Sequence, residues 1–155
     1  MLLAFVLAGS LGGVDTLGKV SLNGLDFKGP THWQKQESDE HSLEWMEPES
    51  GAQLAVSVFP VDPVRPAKAC VKQMVEALGT EGFNATNIGA QPASKKIVVD
   101  YLGDEKTDAN KVSTTTLIGC NGRKKWVLTW SAKTSEGRRF GPILKRVMDS
   151  ITYRK

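Results

Sequence analysis

The stretch KVSTTTLIGCNGRKKWVLTWSAK, residues 111–133, decides the fold of this chain. Its first arm is rich in β-branched residues. Its second arm carries Trp126, Leu128 and Trp130 at alternate positions, which is the period of a strand with one buried face. Asn121-Gly122 separates the arms and is typical of a two-residue type I′ turn. The stretch therefore predicts a long antiparallel hairpin.

Further strands are predicted in the part of the chain that precedes this hairpin. Residues 41–47 (HSLEWME) and 52–61 (AQLAVSVFPV) show the same alternation, and Pro48 and Gly51 between them indicate a turn. A short strand is expected around residues 19–22, and a long strand is expected within SKKIVVDYLGD, residues 94–104.

Two stretches change the apolar period from two to 3.6 residues, which predicts amphipathic helices. The first spans residues 66–78, and its apolar face consists of Ala67, Cys70, Val71, Met74, Val75 and Leu78. Ser135 is the candidate N-cap of the second, and Pro142 predicts an irregular first turn. Its apolar face consists of Phe140, Ile143, Leu144, Val147, Met148 and Ile151. The order of elements predicts an α+β fold, an α/β/α sandwich with a central, mainly antiparallel sheet and two principal helices.

Length and composition indicate one globular domain with an uneven charge. The chain has 155 residues, 40% of them hydrophobic and 24% charged, which argues against global disorder. From residue 111 onward there are eleven basic and two acidic residues, whereas the first 110 residues carry nine basic and fifteen acidic ones. This basic third indicates either an anionic partner or two halves that fold together and neutralise each other.

The amino end reads as an export signal. Residues 1–13 join a short apolar run to small residues, as in a signal peptide. Leu7-Ala8-Gly9 resembles a bacterial lipobox, but Ser10 stands where the lipidated cysteine would be, so no lipid is expected at Ser10. The segment is interpreted as an ordinary cleaved signal or as a lipobox whose cysteine is replaced; a buried first strand is the alternative. Residues 14–24 are expected to form a linker or first strand, and residues 25–155 a single globular domain.

The oxidation state predicted for the two cysteines depends on the compartment. Cys70 lies on the apolar face of the first predicted helix, and Cys120 lies at the hairpin turn. In an exported chain this pair predicts a disulfide. In a reducing compartment both would stay free thiols, with Cys70 acting as a small core residue.

No motif identifies a catalytic, metal-binding or cofactor-binding residue. His32 and His41 flank an acidic stretch, but their spacing matches no metal motif, and a solvated strand–loop–strand is the preferred interpretation. The four tryptophans are interpreted as core residues, with an aromatic groove as the alternative. The chain is therefore expected not to be an enzyme and to use no cofactor, metal or nucleic acid.

The stretch FKGPTHWQ, residues 27–34, carries a family resemblance. Phe27, Pro30 and Trp33 match the F-x-x-P-x-x-W spacing of PsbP-like and DcrB-like proteins, and the resemblance extends over residues 25–151. It implies an α/β/α sandwich with a central antiparallel sheet. Many bacterial members are small exported proteins or lipoproteins, the photosynthetic ones are extrinsic subunits that assist a membrane complex, and others are secretion chaperones or adaptors. The resemblance implies no shared catalytic site.

These observations predict a non-enzymatic exported accessory domain that acts on a protein partner in the periplasm or cell envelope. The domain is expected to be either free or lipid-anchored. Its candidate binding surface is basic and is expected to steer an anionic partner: Arg123, Lys124, Lys125, Arg138 and Arg139. The alternative is an intracellular adaptor or secretion chaperone that holds an apolar client segment in a sheet groove.

Overall fold

The computed structural model describes residues 16–78, 84–87, 95–101 and 111–154. Within these residues ten strands and two helices follow one another along the chain. Their bounds are β1 Leu17–Leu22, β2 Leu25–Pro30, β3 Gln34–Asp39, β4 Ser42–Met46, β5 Gln53–Pro60, α1 Ala67–Leu78, β6 Asn84–Asn87, β7 Lys95–Tyr101, β8 Val112–Cys120, β9 Lys124–Lys133, α2 Gly137–Asp149 and β10 Thr152–Tyr153. Residues 1–13, and with them Ser10, lie outside the described residues.

Seven strands form one antiparallel sheet in the order β3-β4-β5-β9-β8-β7-β6. β9 lies at its centre, because it pairs with β8 along the predicted hairpin and with β5 on its other side. The predicted α1, the β4–β5 hairpin and the β8–β9 hairpin are confirmed. Most of the sheet thus consists of strands that the alternation pattern identifies.

This sheet separates two hydrophobic cores. Leu117 belongs to the core beneath α2 and Ile118 to the core beneath α1, since neighbouring strand residues point to opposite faces. One helix therefore covers each face of a central antiparallel sheet, which confirms the predicted α+β sandwich. The core beneath α1 is the smaller one and consists of Val61, Cys70, Val71, Ile118 and Cys120.

The residues that carry the family resemblance lie in the larger core. Phe27 meets Trp45 edge to face, with 5.9 Å between ring centroids. Trp33 contacts both Trp130 and Phe140, at 5.2 Å and 5.6 Å. All four tryptophans are buried there, so their role in the structure is packing, and the spacing of the motif reflects the core.

A second sheet of three antiparallel strands, in the order β1-β2-β10, was only partly expected. β2 extends from Leu25 to Pro30, and β10 begins at Thr152, directly after the apolar stripe predicted for the second helix. The strand expected at residues 19–22 begins earlier, at Leu17, and pairs with β2 along its full length. β1 of the small sheet therefore lies in the segment that was expected to form a linker or first strand.

The type I′ turn was predicted at the wrong Asn-Gly pair. Both Asn23 and Gly24 have positive φ, 48° and 86°, and Leu22 pairs with Leu25, as a two-residue type I′ hairpin requires. At the β8–β9 hairpin only Gly122 has positive φ. There the side chain of Asn121 accepts hydrogen bonds from the backbone N–H groups of Arg123 and Lys124, at 3.0 Å and 2.8 Å. The Asn121 N–H donates to the Lys124 carbonyl at 3.1 Å, so the turn residues are Gly122 and Arg123, one position later than predicted.

The start of α2 also differs from the prediction. A single 3₁₀ turn, Thr134–Glu136, precedes the helix, and Glu136 occupies the N-cap without a side-chain capping bond, so Ser135 is not the cap. Pro142 lies inside α2. The α-helix is continuous from Gly137 to Asp149, so the irregular part is the 3₁₀ turn before the helix and not the first turn of the helix itself.

Candidate functional site

The disulfide between Cys70 and Cys120 fastens α1 to the end of β8. Their Cα atoms are 6.2 Å apart, and 50 positions of sequence separate them. Backbone bonds hold the same region together: the Val61 N–H donates to the Arg123 carbonyl at 2.8 Å, and the Arg65 N–H donates to the Gly122 carbonyl at 3.2 Å. The tip of the β8–β9 hairpin is thus fixed against the segment that leads into α1.

An open groove of about 640 Å³ lies beside α1. We call it the α1 groove, and its lining consists of His41, Phe59, Pro60, Met74, Ala77, Leu78, Lys125 and Val127. The C-terminal half of α1 forms one wall, and β5 and β9 form the floor. Phe59 and Val127 lie on the face of the sheet that α1 covers only in part, so apolar surface stays accessible there.

The most exposed large hydrophobic side chains of the described residues flank α1. Leu78, at its C-terminal end and in the groove, is 45% exposed, and Val64, before its N-terminal end, is 68% exposed. Contiguous exposed apolar surface with a polar rim is typical of an interaction site. Lys125 and His41 supply that polar rim here.

The basic residues predicted as one surface fall into two groups. Arg123, Lys124 and Lys125 lie at the hairpin tip, whereas Arg138 and Arg139 begin α2, beyond the opposite end of β9. A strand of this length spans roughly 30 Å at about 3.3 Å per residue. The structure therefore places Lys125 in the α1 groove and Arg123 at the adjoining hairpin tip, directs Lys124 toward the small sheet, and places the two arginines elsewhere.

Two of these five cations already have partners. Arg139 lies 3.7 Å from Glu47 and 3.8 Å from Glu136, and its guanidinium stacks over Phe140 at 4.8 Å. Lys124 donates to the carbonyl of Asn23, which ties the hairpin tip to the small sheet. Lys125 lines the groove, and Arg123 is exposed at the tip.

The two histidines lie at opposite ends of β3, so the sequence pattern that joined them does not make one site. His32 precedes β3 and is exposed. His41 lies in the turn into β4, where its Nε2 is 3.3 Å from Glu40 and its ring contacts Phe59 at 5.4 Å between centroids. In the described part of the chain no three metal-ligating side chains cluster together.

Sequence reasoning did not identify the groove itself. Phe59 and Val127 lie at positions of β5 and β9 that alternate with the buried residues of those strands. Two apolar side chains at such positions on the paired strands β5 and β9 are the signal that was available, since solvated positions of an antiparallel sheet are usually polar.

Comparisons with known proteins agree with this architecture. No protein-family model and no curated protein sequence matches the chain. The cyanobacterial PsbP protein CyanoP from Synechocystis sp. PCC 6803 superposes with a TM-score of 0.55 at 14% identity, covering 94% of this chain and 96% of CyanoP. This chain has the PsbP-like fold.

Other solved structures share the PsbP-like fold. LpqN of Mycobacterium tuberculosis, described as involved in cell envelope biogenesis, matches with a TM-score of 0.51 at 15% identity, covering 90% of this chain and 91% of LpqN. A protein from Bacteroides thetaiotaomicron VPI-5482 matches with a TM-score of 0.61 at 12% identity over 85% of this chain. This chain spans about half of that protein, 46% of its length. The fold that the family resemblance implied is thus confirmed.

None of the helices in the described residues has the length and apolar character needed to cross a bilayer.

Proposed function

We propose that this chain is an exported, non-enzymatic accessory domain of the cell envelope that binds a segment of a partner protein in the α1 groove. The observation that carries the proposal is the groove itself: accessible apolar surface between α1 and the sheet, with basic side chains at the adjoining hairpin tip. A binding module needs such a surface and needs no reactive group.

The chemistry of the surface defines the partner segment. Phe59, Val127 and Leu78 favour apolar side chains, while Lys125 at the rim and Arg123 at the tip favour acidic residues beside them. We expect a short segment with one or two large apolar residues next to Asp or Glu. Arg138 and Arg139 take no part in this contact.

Export is supported by the disulfide and by the amino end. Disulfides persist in oxidising compartments, and Cys70–Cys120 stabilises the wall of the groove. LpqN, which has the same fold, is described by its role in cell envelope biogenesis. We propose that residues 1–13 direct export, and that a protein with cysteine in place of Ser10 would be tethered to the membrane by a lipid.

Cell fractionation with intact-mass measurement tests the export proposal. Cells are quenched with a thiol-alkylating reagent, and the chain is recovered from each fraction. Mass lost from the amino end, together with no alkylated cysteine, is the expected result in the envelope fraction. A full-length chain in the cytoplasm with two alkylated cysteines would contradict it.

Site-specific photo-crosslinking in cells tests the groove. A photoreactive amino acid at Leu78 is expected to give a discrete adduct, whereas the same residue at Val64, equally apolar and more exposed but outside the groove, is the matched control. The K125E exchange is expected to weaken the Leu78 adduct. Equal adducts at both positions, or an adduct insensitive to K125E, would reject the groove as the binding site.

The second candidate function is an intracellular chaperone that shields an apolar client segment. The apolar floor of the α1 groove favours it, because a chaperone would use the same surface. The two functions differ in compartment: two free thiols on a cytoplasmic chain would favour the chaperone, and an oxidised pair in the envelope would favour the exported domain.

A further inference from the structure

A second concave surface, distinct from the α1 groove, lies between the small sheet and the C-terminal end of α2. This cleft has a volume of about 630 Å³. Its charged lining residues are Lys19, Asp26, Lys28, Arg146, Asp149 and Arg154. Four cations therefore surround two carboxylates, which leaves an excess of positive charge.

The two carboxylates already have cationic partners. Arg154 binds Asp26 through two nitrogens, at 3.0 Å and 3.3 Å, and Ser21 donates a further hydrogen bond to the same carboxylate. The bonds from Ser21 and Arg154 hold the pKa of Asp26 below its usual value. Asp149 accepts a hydrogen bond from Lys145 at 2.6 Å. Both carboxylates are therefore paired with groups other than Lys19 and Lys28.

Lys19 and Lys28 are direct cross-strand neighbours on β1 and β2. Both are exposed and point to the face of the small sheet opposite Val20 and Phe27, because side chains alternate along each strand. Like charges placed opposite each other destabilise a strand pair. Among the described residues neither ammonium has an ion-pair or hydrogen-bond partner, so this like-charge pair is left without a compensating anion.

We propose that this cleft binds a phosphate group through Lys19 and Lys28. A phosphate monoester carries a charge of about −1.5 to −2 near pH 7 and offers three acceptor oxygens. Two neighbouring ammonium groups fit such a dianion better than they fit a single carboxylate, because the dianion balances both positive charges and a carboxylate balances only one. Arg146, on the α2 wall, adds positive charge to the same space.

The phosphate group can come from a soluble ligand or from a lipid headgroup, and two probes separate these sources. Inorganic phosphate is titrated into the full chain at constant ionic strength, with amide chemical shifts of β1 and β2 as the readout. Separately, the chain is sedimented with vesicles of phosphatidic acid in phosphatidylcholine, and with phosphatidylcholine alone.

The K19Q/K28Q variant is compared with K68Q/K72Q, which removes the same charge from exposed positions on α1. We expect saturable binding by the wild type, a loss of affinity of about tenfold or more in K19Q/K28Q, and no change in K68Q/K72Q. Shifts with inorganic phosphate indicate a soluble ligand, and binding to phosphatidic acid vesicles alone indicates a lipid; both support the site.

Absence of binding to both probes, or equal affinity in the two variants, would overturn the proposal. The cleft does not depend on the α1 groove, so a failure of the cross-linking at Leu78 leaves this test unaffected.

Discussion

At the scale of single residues, Gly119 is the position where the sheet leaves least room. It lies opposite Trp126 in the β8–β9 pairing, and a Cβ built there would be 2.3 Å from the indole Cε2. Trp126 is 1% exposed and is packed in the core beneath α2. We expect Gly119→Ala to lower the free energy of unfolding by about 1–3 kcal/mol, measured by urea denaturation.

Gly137→Ala is the control for this prediction. A Cβ at Gly137, the first residue of α2, meets no atom within 4 Å, and the backbone there is already helical. Stability should stay the same or rise by up to about 1 kcal/mol. Equal effects of the two substitutions would show that the close approach of Trp126 does not limit the size of residue 119.

Ionisation of Tyr153 is expected to lower the stability of the fold at alkaline pH. Burial raises its pKa to about 12, although the hydrogen bond from Trp126 Nε1, at 2.6 Å, acts in the opposite direction. The unfolded chain loses this proton near the ordinary pKa of about 10, so the contribution is complete below pH 10 and is lost as the pH rises toward 12. We expect wild-type stability to fall more steeply than that of Tyr153→Phe between about pH 10 and pH 12. Parallel curves in urea titrations would refute this assignment.

At the scale of elements, the β4–β5 turn is organised by one buried carboxylate. Glu47 Oε2 accepts hydrogen bonds from the N–H and the hydroxyl of Ser50, at 2.7 Å and 2.6 Å, and Arg139 lies 3.7 Å from the other oxygen. Burial by itself raises the pKa of Glu47, but these bonds outweigh it and hold the pKa below its usual value.

We expect Glu47→Ala to lower the free energy of unfolding at pH 7 by about 1–3 kcal/mol, because buried donors lose their acceptor. Glu49→Ala, in the same turn but exposed, should change it by less than about 0.5 kcal/mol. The Glu47 contribution is present above the unfolded pKa near 4.5 and is lost as the pH falls through the lower folded value. The difference in unfolding free energy between the wild type and Glu47→Ala should therefore shrink as the pH falls below about 4.5; a constant difference would contradict the role of the charge.

Elements with a strong apolar period were predictable, whereas polar and very short ones were not. β4, β5, β9 and α1 each bury one face and show it in their apolar spacing, whereas β8 is buried on both faces at its end and is marked by its run of β-branched residues. β3 reads QKQESD and pairs only with β4 at the sheet edge, so no alternation marks it. β10 has two residues and exists only because β2 offers it a partner.

The Asn-Gly turns show why local signals need tertiary context. Asn23-Gly24 and Asn121-Gly122 carry the same dipeptide, but only at the first do both residues occupy the turn with positive φ. At the second, Gly122 approaches the backbone of Arg65: a Cβ there would be 2.5 Å from the Arg65 carbonyl oxygen. Contact with the segment before α1, which the sequence does not reveal, sets the loop. The α1 groove escaped prediction for the same reason, since it forms between elements far apart in the chain.

At the scale of the whole molecule, the sheet divides the protein into two unequal layers. The core beneath α2 holds all four tryptophans and most of the buried side chains, whereas the core beneath α1 has few residues and includes the disulfide itself. In the chain-entropy model, closing a loop of this length contributes about 4 kcal/mol to the stability of the folded state. The smaller layer therefore depends on the disulfide far more than the larger one does.

Reduction of the Cys70–Cys120 disulfide is expected to loosen the α1 layer before the rest of the molecule. Amide hydrogen exchange should become faster across α1 in the reduced chain, because few apolar contacts remain to hold it. The near-ultraviolet circular dichroism of the tryptophans should persist, since their packing lies on the other side of the sheet. The Cys70→Ala/Cys120→Ala variant is the control that excludes an effect of the reductant, and it should behave like the reduced chain. Loss of the tryptophan signal together with α1 protection would mean that the two layers unfold as one unit, and the α1 groove would then depend on the whole core.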